Sequence, residues 1–129
     1  MFSSTRVVLL AVIVSLTPTF LFAGFRTGSD LAHDCRTWVR WQDSHGLPAD
    51  DALDATQCVE YIKGAIDAYI YAGTYFMKPV DSICMPQGFT GEQAVRIVLK
   101  YLDSHPETLH LDAGGLVWVA IHSDFACPR

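Results

Sequence analysis

Apolar residues recur at three- and four-residue steps in four stretches of the chain, and each stretch predicts an amphipathic helix. The first runs from about Ser29 to Asp43 and places Leu31, Cys35, Trp38 and Val39 on one side. "SHGLPAD" ends it: Gly46 suits a C-cap, Pro48 blocks continuation, and Asp50 or Asp51 can cap the next helix. The second pattern is the strongest. Ala55, Cys58, Val59, Ile62, Ala65, Ile66, Tyr69 and Gly73 align through about Tyr75. Gly64 and Gly73 weaken that helix by roughly 1 kcal/mol each relative to Ala. Close approach of another helix, or a kink, is the expected reason for them.

An irregular connection, "YFMKPVDSICMPQGF", leads to a third helix opened by the capping box Thr90 to Gln93. It carries Ala94, Val95, Ile97, Val98 and Leu102 inward and stops near "DSHPE". Ser104 to Glu107 repeats the capping-box spacing, with Pro106 in the first turn, so a fourth helix is expected from there. It would present Leu109, Ala113, Leu116, Val117, Ala120 and Ile121 and end near Phe125. Gly114-Gly115 then falls mid-helix, where tight packing or a bend is expected. Strand patterns are nearly absent. The expected fold class is all-α, a compact bundle of four main helices.

The first 23 residues follow a different pattern. Arg6 is the only charge before Arg26, and Val7 to Leu16 is apolar apart from Ser15. Thr17-Pro18-Thr19 breaks the run, and Leu21-Phe22-Ala23 offers a cleavage site. An apolar run of about ten residues is too short to span a bilayer as a helix but suits an export signal. The expectation is a signal peptide at 1–23, a mature helical domain at 24–129, and no stable membrane insertion after cleavage, with an uncleaved anchor as the alternative if Phe20 to Phe25 extend the apolar run.

Removal of that segment leaves eight Lys/Arg against fourteen Asp/Glu. This acidity excludes a typical nucleic-acid binder, which needs a basic face, and leaves a basic protein partner open. Four cysteines in a small exported chain read as two disulfides, and no C-x-x-C redox or zinc motif occurs. Three pairings exist, and helix geometry selects one. In an antiparallel hairpin of the first two helices, Cys35 lies about eight residues before the turn and Cys58 about seven after it, so they are level. Cys84, ahead of the third helix, then meets Cys127 beyond the fourth. The last helix is expected to be longer than its partner by roughly 10 Å, a gap the run from Cys84 to Thr90 would cover. The fold becomes two disulfide-clamped hairpins.

Catalytic candidates are few. "LAHDCR" is similar to the His-Asp pair of secreted phospholipases A2, but the glycine-rich loop that supplies calcium ligands does not precede His33. His33 and Asp34 read instead as residues of an exposed first helical turn, and the carboxylates of "DDALD" as partners of a helix dipole rather than metal ligands. His45, His105, His110 and His122 form no H-E-x-x-H or other close pair, and no phosphate or dinucleotide fingerprint occurs. No enzyme activity, cofactor or metal is expected. The aromatic content, with Trp38, Trp41, Tyr69, Tyr71, Tyr75 and Phe76, suits core packing together with a protein interface.

Several stretches together resemble a known family. They are Cys58-x-x-Tyr61-Ile62-x-Gly64, then Cys84-x-Pro86-x-Gly88-x-Thr90-x-x-Gln93, then "YLDSHPETLH", Ala113, Leu116-Val117 and Phe125-x-Cys127-Pro128. Their order and spacing are similar to the Rap/Tai immunity proteins, which act in the periplasm against peptidoglycan amidases delivered by type VI secretion. The likeness covers about residues 30 to 128. It implies an all-helical, disulfide-bonded inhibitor, commonly a homodimer, that obstructs the amidase cleft. Glu60, where a glycine often precedes the Tyr-Ile pair, and Gly114-Gly115 depart from that pattern.

A cleft-blocking inhibitor needs something that protrudes. The junction carrying Asp103, Ser104, His105 and Glu107 is polar and stiffened by Pro106, which lowers its ordering cost on binding. It is the candidate partner-binding site, and a plain interhelical turn is the alternative reading. The competing expectation is a periplasmic stress or chaperone-like module, holding many clients on apolar surface uncovered by acid or dissociation.

Overall fold

The computed structural model describes residues 25–44, 46 and 49–128. The expected signal peptide and its cleavage point, and the readings placed on His45 and Pro48, lie outside them. Four helices form the domain: α1 Gly28–Ser44, α2 Ala49–Tyr75, α3 Gly91–Ser104 and α4 Ala113–Phe125. Short 3-10 turns occur at Pro79–Asp81 and Pro106–Thr108. Among the described residues there is no strand, only isolated bridges between Thr27 and Asp112 and between Ile83 and Ala126.

Helix α1 opens with a reciprocal cap. The Thr27 N–H donates to Asp30 Oδ2 at 3.0 Å, and the Asp30 N–H donates to Thr27 Oγ1 at 3.3 Å. Its core stripe is Leu31, Cys35 and Trp38, with Thr37 also buried. Asp34 corrects the expectation of an exposed first turn. It is buried, and its carboxylate pairs with the Arg26 guanidinium, which also lies over the Tyr61 ring at 5.4 Å. A carboxylate removed from water needs such a charged partner.

The hairpin of α1 and α2 is the most extensive helix pairing. Cys35 and Cys58 join it at mid-length, with a Cα–Cα distance of 5.0 Å. Both are fully buried beside Ile62 and Leu31 in the common core. Since α2 already begins at Ala49, Asp50 and Asp51 lie inside its first turn, past the N-cap position. With 27 residues against 17 in α1, α2 overhangs its partner by about 15 Å at its C-terminal end.

The glycines have unlike settings. A Cβ on Gly73 would sit 3.1 Å from the Ser82 side chain, so the connection, not another helix, presses on α2 there. Gly64 faces open space, which corrects the expected close approach. Gly28 is the tightest: a Cβ would fall 2.5 Å from Leu116 Cδ1 and 3.1 Å from the Leu109 carbonyl oxygen. Here α1 runs against the lead-in to α4. Gly28 N–H donates to Leu111 O, Ser29 N–H to Leu109 O and Ala113 N–H to Arg26 O.

The Thr90–Gln93 capping box of α3 is present in both directions. The fourth helix departs from expectation. Ser104–Glu107 does not cap it, because Pro106–Thr108 forms a separate 3-10 turn without a side-chain cap. The helix begins at Ala113, capped by Asp112, whose carboxylate accepts from the Gly115 N–H at 2.8 Å. Gly114 and Gly115 therefore occupy the first turn, where glycine is far less disruptive than mid-helix. With 13 residues, α4 is no longer than the 14-residue α3, so the expected 10 Å mismatch does not exist. Cys84 reaches Cys127 because the two segments run antiparallel. The Cys84 N–H donates to Phe125 O, and the Cys127 N–H donates to Ser82 O.

Candidate functional site

The corner that ends α3 holds all four residues of the expected contact, and the structure locks most of them. Asp103 is tied across the bundle to α1, where Arg36 donates from Nη2 at 2.6 Å and from Nε at 3.2 Å to one carboxylate oxygen. Both side chains remain about half exposed, so this ion pair orients the corner more than it stabilises the fold. Ser104 Oγ donates to the Lys100 carbonyl at 2.7 Å. His105 stacks on Tyr101, one turn back, with ring centroids 4.2 Å apart and planes 20° from parallel.

The His105 backbone is also fixed. Its N–H donates to Leu102 O, and its carbonyl accepts from the Thr108 N–H and from Thr108 Oγ1. Pro106 then starts the 3-10 turn at a position that needs no amide hydrogen. Glu107 is exposed. The result is a polar corner with a constrained backbone, a surface with little ordering entropy left to lose. Neither Arg36 nor Tyr101 was singled out from sequence. The four-residue step from Tyr101 to His105 was a usable signal, whereas Arg36 lies 67 residues from Asp103.

A second surface is apolar. On the α2 overhang Tyr71 is 61% exposed, Tyr75 66% and Phe76 77%, and the three rings gather within 6.3 Å of one another. Exposed aromatic side chains gathered in this way are a candidate interaction surface. Tyr61 and Tyr69, earlier on α2, behave differently. Their hydroxyls turn toward Gly114 at the start of α4. Burial, reinforced by the Asp112 carboxylate, pushes both phenols above their ordinary range, so they remain neutral donors.

The one His/Asp grouping with metal-like spacing among the described residues is His33, Asp34 and Asp54. His33 Nε2 lies 3.5 Å from Asp54 Oδ2, on an exposed part of the hairpin. Asp34 is held by Arg26, whose positive charge opposes a cation there. No helix among the described residues is long and apolar enough to cross a membrane.

Residues 27–127 match the family model of Rap1a immunity proteins. No curated protein and no solved structure matches the chain.

Proposed function

The chain belongs to the family of Rap1a immunity proteins, and on that premise we propose that it neutralises a peptidoglycan amidase effector of type VI secretion by binding across the amidase cleft. It performs no chemistry of its own and needs no cofactor. The observation that carries the reading is the family match over nearly all of the described residues. The Asp103–Glu107 corner is the contact that enters the cleft, with Asp103, Ser104, His105 and Glu107 as its reading side chains. Its support is the constrained backbone and the outward polar groups. Work in the periplasm follows from the reading of residues 1–23 as an export signal cleaved after Ala23, leaving 24–129 as the mature domain. The two disulfides suit that oxidising compartment.

In this reading two copies pair through the α2 overhang. Tyr71, Tyr75 and Phe76 supply the apolar area that such a contact needs. Tyr75→Ser with Phe76→Ser is expected to give a monomer by sedimentation velocity with nearly unchanged thermal stability. A dimer that survives the double substitution would place the contact elsewhere. The same cluster is the feature that favours a chaperone-like module instead, which would hold many weak clients.

The deciding experiment uses the oxidised mature protein and the amidase encoded beside its gene. Crosslink cleavage in peptidoglycan is followed as the ratio of the two proteins rises. Inhibition complete near one to one supports immunity. Full cleavage at excess inhibitor, with no complex on gel filtration, overturns it and brings the client-holding reading forward.

A further inference from the structure

Beside the α3 corner, helices α3 and α4 leave a notch of about 250 Å³. Ile97, Ala120 and the Tyr101 ring make its apolar lining. Ser104 at the end of α3 and His105 just past it, with Ser123 and Asp124 from α4, make most of its polar lining, and Lys100 completes it.

The hydrogen-bonding capacity of this notch leans toward acceptors. Ser104 Oγ has directed its hydrogen to Lys100 O at 2.7 Å, and Ser123 Oγ its hydrogen to Ala120 O at 2.9 Å. Both oxygens keep acceptor lone pairs. His105 Nδ1 lies 2.9 Å from the Tyr101 carbonyl oxygen. A carbonyl accepts only, so Nδ1 carries the hydrogen, and in the neutral ring Nε2 is left as an acceptor. The Asp124 carboxylate also accepts only. Four acceptors thus line one small space. Lys100 is the single cationic donor among the lining residues, with a flexible stem that lets the ammonium turn toward water, and the Tyr101 hydroxyl can either donate or accept.

We propose that this notch receives an arginine side chain of the partner protein. A guanidinium fits the chemistry on three counts. It offers five donors in one plane and no acceptor, it is weakly hydrated, and it lies flat on aromatic and apolar surface. The Asp124 charge favours it over a neutral donor, and the chain's net charge of −5 draws a basic partner from a distance. Naming that partner as the amidase effector rests on the immunity reading. The capture of a guanidinium does not.

The test is therefore made first without the amidase. The ¹⁵N-labelled oxidised protein is titrated with N-acetyl-arginine methylamide, and with the norleucine analogue, which keeps the chain but has no side-chain donor. Saturable shifts at Ser104, His105, Ser123 and Asp124 are expected with the arginine probe alone. Asp124→Asn removes the charge, and His105→Phe keeps a ring stacked on Tyr101 while deleting the Nε2 acceptor. Each is expected to weaken the probe about tenfold, the scale of a charge-assisted hydrogen bond. Unchanged amide shifts elsewhere show that both variants are folded. Equal response to the norleucine analogue, absence of saturable shifts, or full affinity in both variants overturns the notch as a guanidinium site.

With the amidase, each of its surface arginines is replaced in turn and combined with Asp124→Asn in a double-mutant cycle. One arginine coupled to Asp124 supports the assignment. If the wild-type chain binds the amidase and no arginine couples, the notch assignment alone falls. If it binds no amidase, the immunity reading falls and the identity of the partner with it, while the probe titration still decides the chemistry of the notch.

Discussion

The Cys35–Cys58 clamp joins two helices at mid-length, with both cysteines fully buried, whereas the Cys84–Cys127 clamp lies outside every helix, with Cys84 exposed. The first is part of the core and holds α1 level with α2. The second ties the lead-in of α3 to the chain just past α4, beside the Ile83–Ala126 bridge. Their loops span 23 and 43 residues, worth roughly 3.5 and 4 kcal/mol in the chain-entropy model. Loop length ranks the outer clamp higher by about 0.5 kcal/mol. Burial reverses the order, because each sulfur removed from the core leaves a small void worth about 1 kcal/mol.

The largest test of that contrast replaces each pair by alanine. Loss of Cys35 and Cys58 is expected to lower the unfolding free energy by about 5 kcal/mol, and loss of Cys84 and Cys127 by about 4. Denaturant midpoints give the ranking. An outer loss equal to the inner one would show that loop length alone governs. Under mild reductant without denaturant, alkylation and mass spectrometry should find Cys84 and Cys127 labelled first. Early labelling of Cys35 would mean that the first hairpin opens more readily than its burial implies.

Gly28 sharpens the comparison at the other seam, where α1 meets α4. Gly28→Ala is expected to destabilise by about 1–3 kcal/mol, since its Cβ meets the Leu109 backbone as well as the movable Leu116 tip. Thr90→Ala tests the second hairpin locally. Losing the α3 cap should cost about 1 kcal/mol, and hydrogen exchange should accelerate in the first turn of α3 while leaving α1 unchanged.

The smallest effect belongs to Asp30 in the cap of α1. Hydrogen bonds from the Thr27 backbone and side chain hold its carboxyl below the usual range. A lowered folded pKa makes its stabilisation fully present above the unfolded pKa and lost as pH falls through the folded one. Asp30→Asn should therefore flatten the acid limb of the stability–pH curve slightly, without changing stability between neutral and alkaline pH relative to its own baseline. An unchanged acid limb would show that this cap is not held by the charge.

Much of the scaffold was legible because helix faces and caps are local. The stripe of Ala55, Cys58, Ile62 and Ile66 is buried as its spacing requires, and the T-x-x-Q box opens α3. Asp34 shows a signal that was present and misread. It sits three residues after Leu31 and four before Trp38, on the core side of α1, and polarity alone does not bring it to the surface once Arg26 neutralises it. The start of α4 shows a local signal that was ambiguous. Ser104–Glu107 has capping-box spacing, yet the strand-like pairing of residues 26–29 with 109–113 takes those backbone groups and moves the helix start to Ala113.

The sequence by itself determined the all-α class, the order of four helices and the level placing of Cys35 with Cys58, because periodicity, capping and chain reach act over a few residues. Only the tertiary structure decided that Arg36 grips Asp103 and that α2 projects its aromatic cluster past α1. It alone set Ser104, His105, Ser123 and Asp124 around one notch. Those arrangements join residues far apart in the chain, so their position follows from packing the helices against one another and leaves no fixed spacing to read.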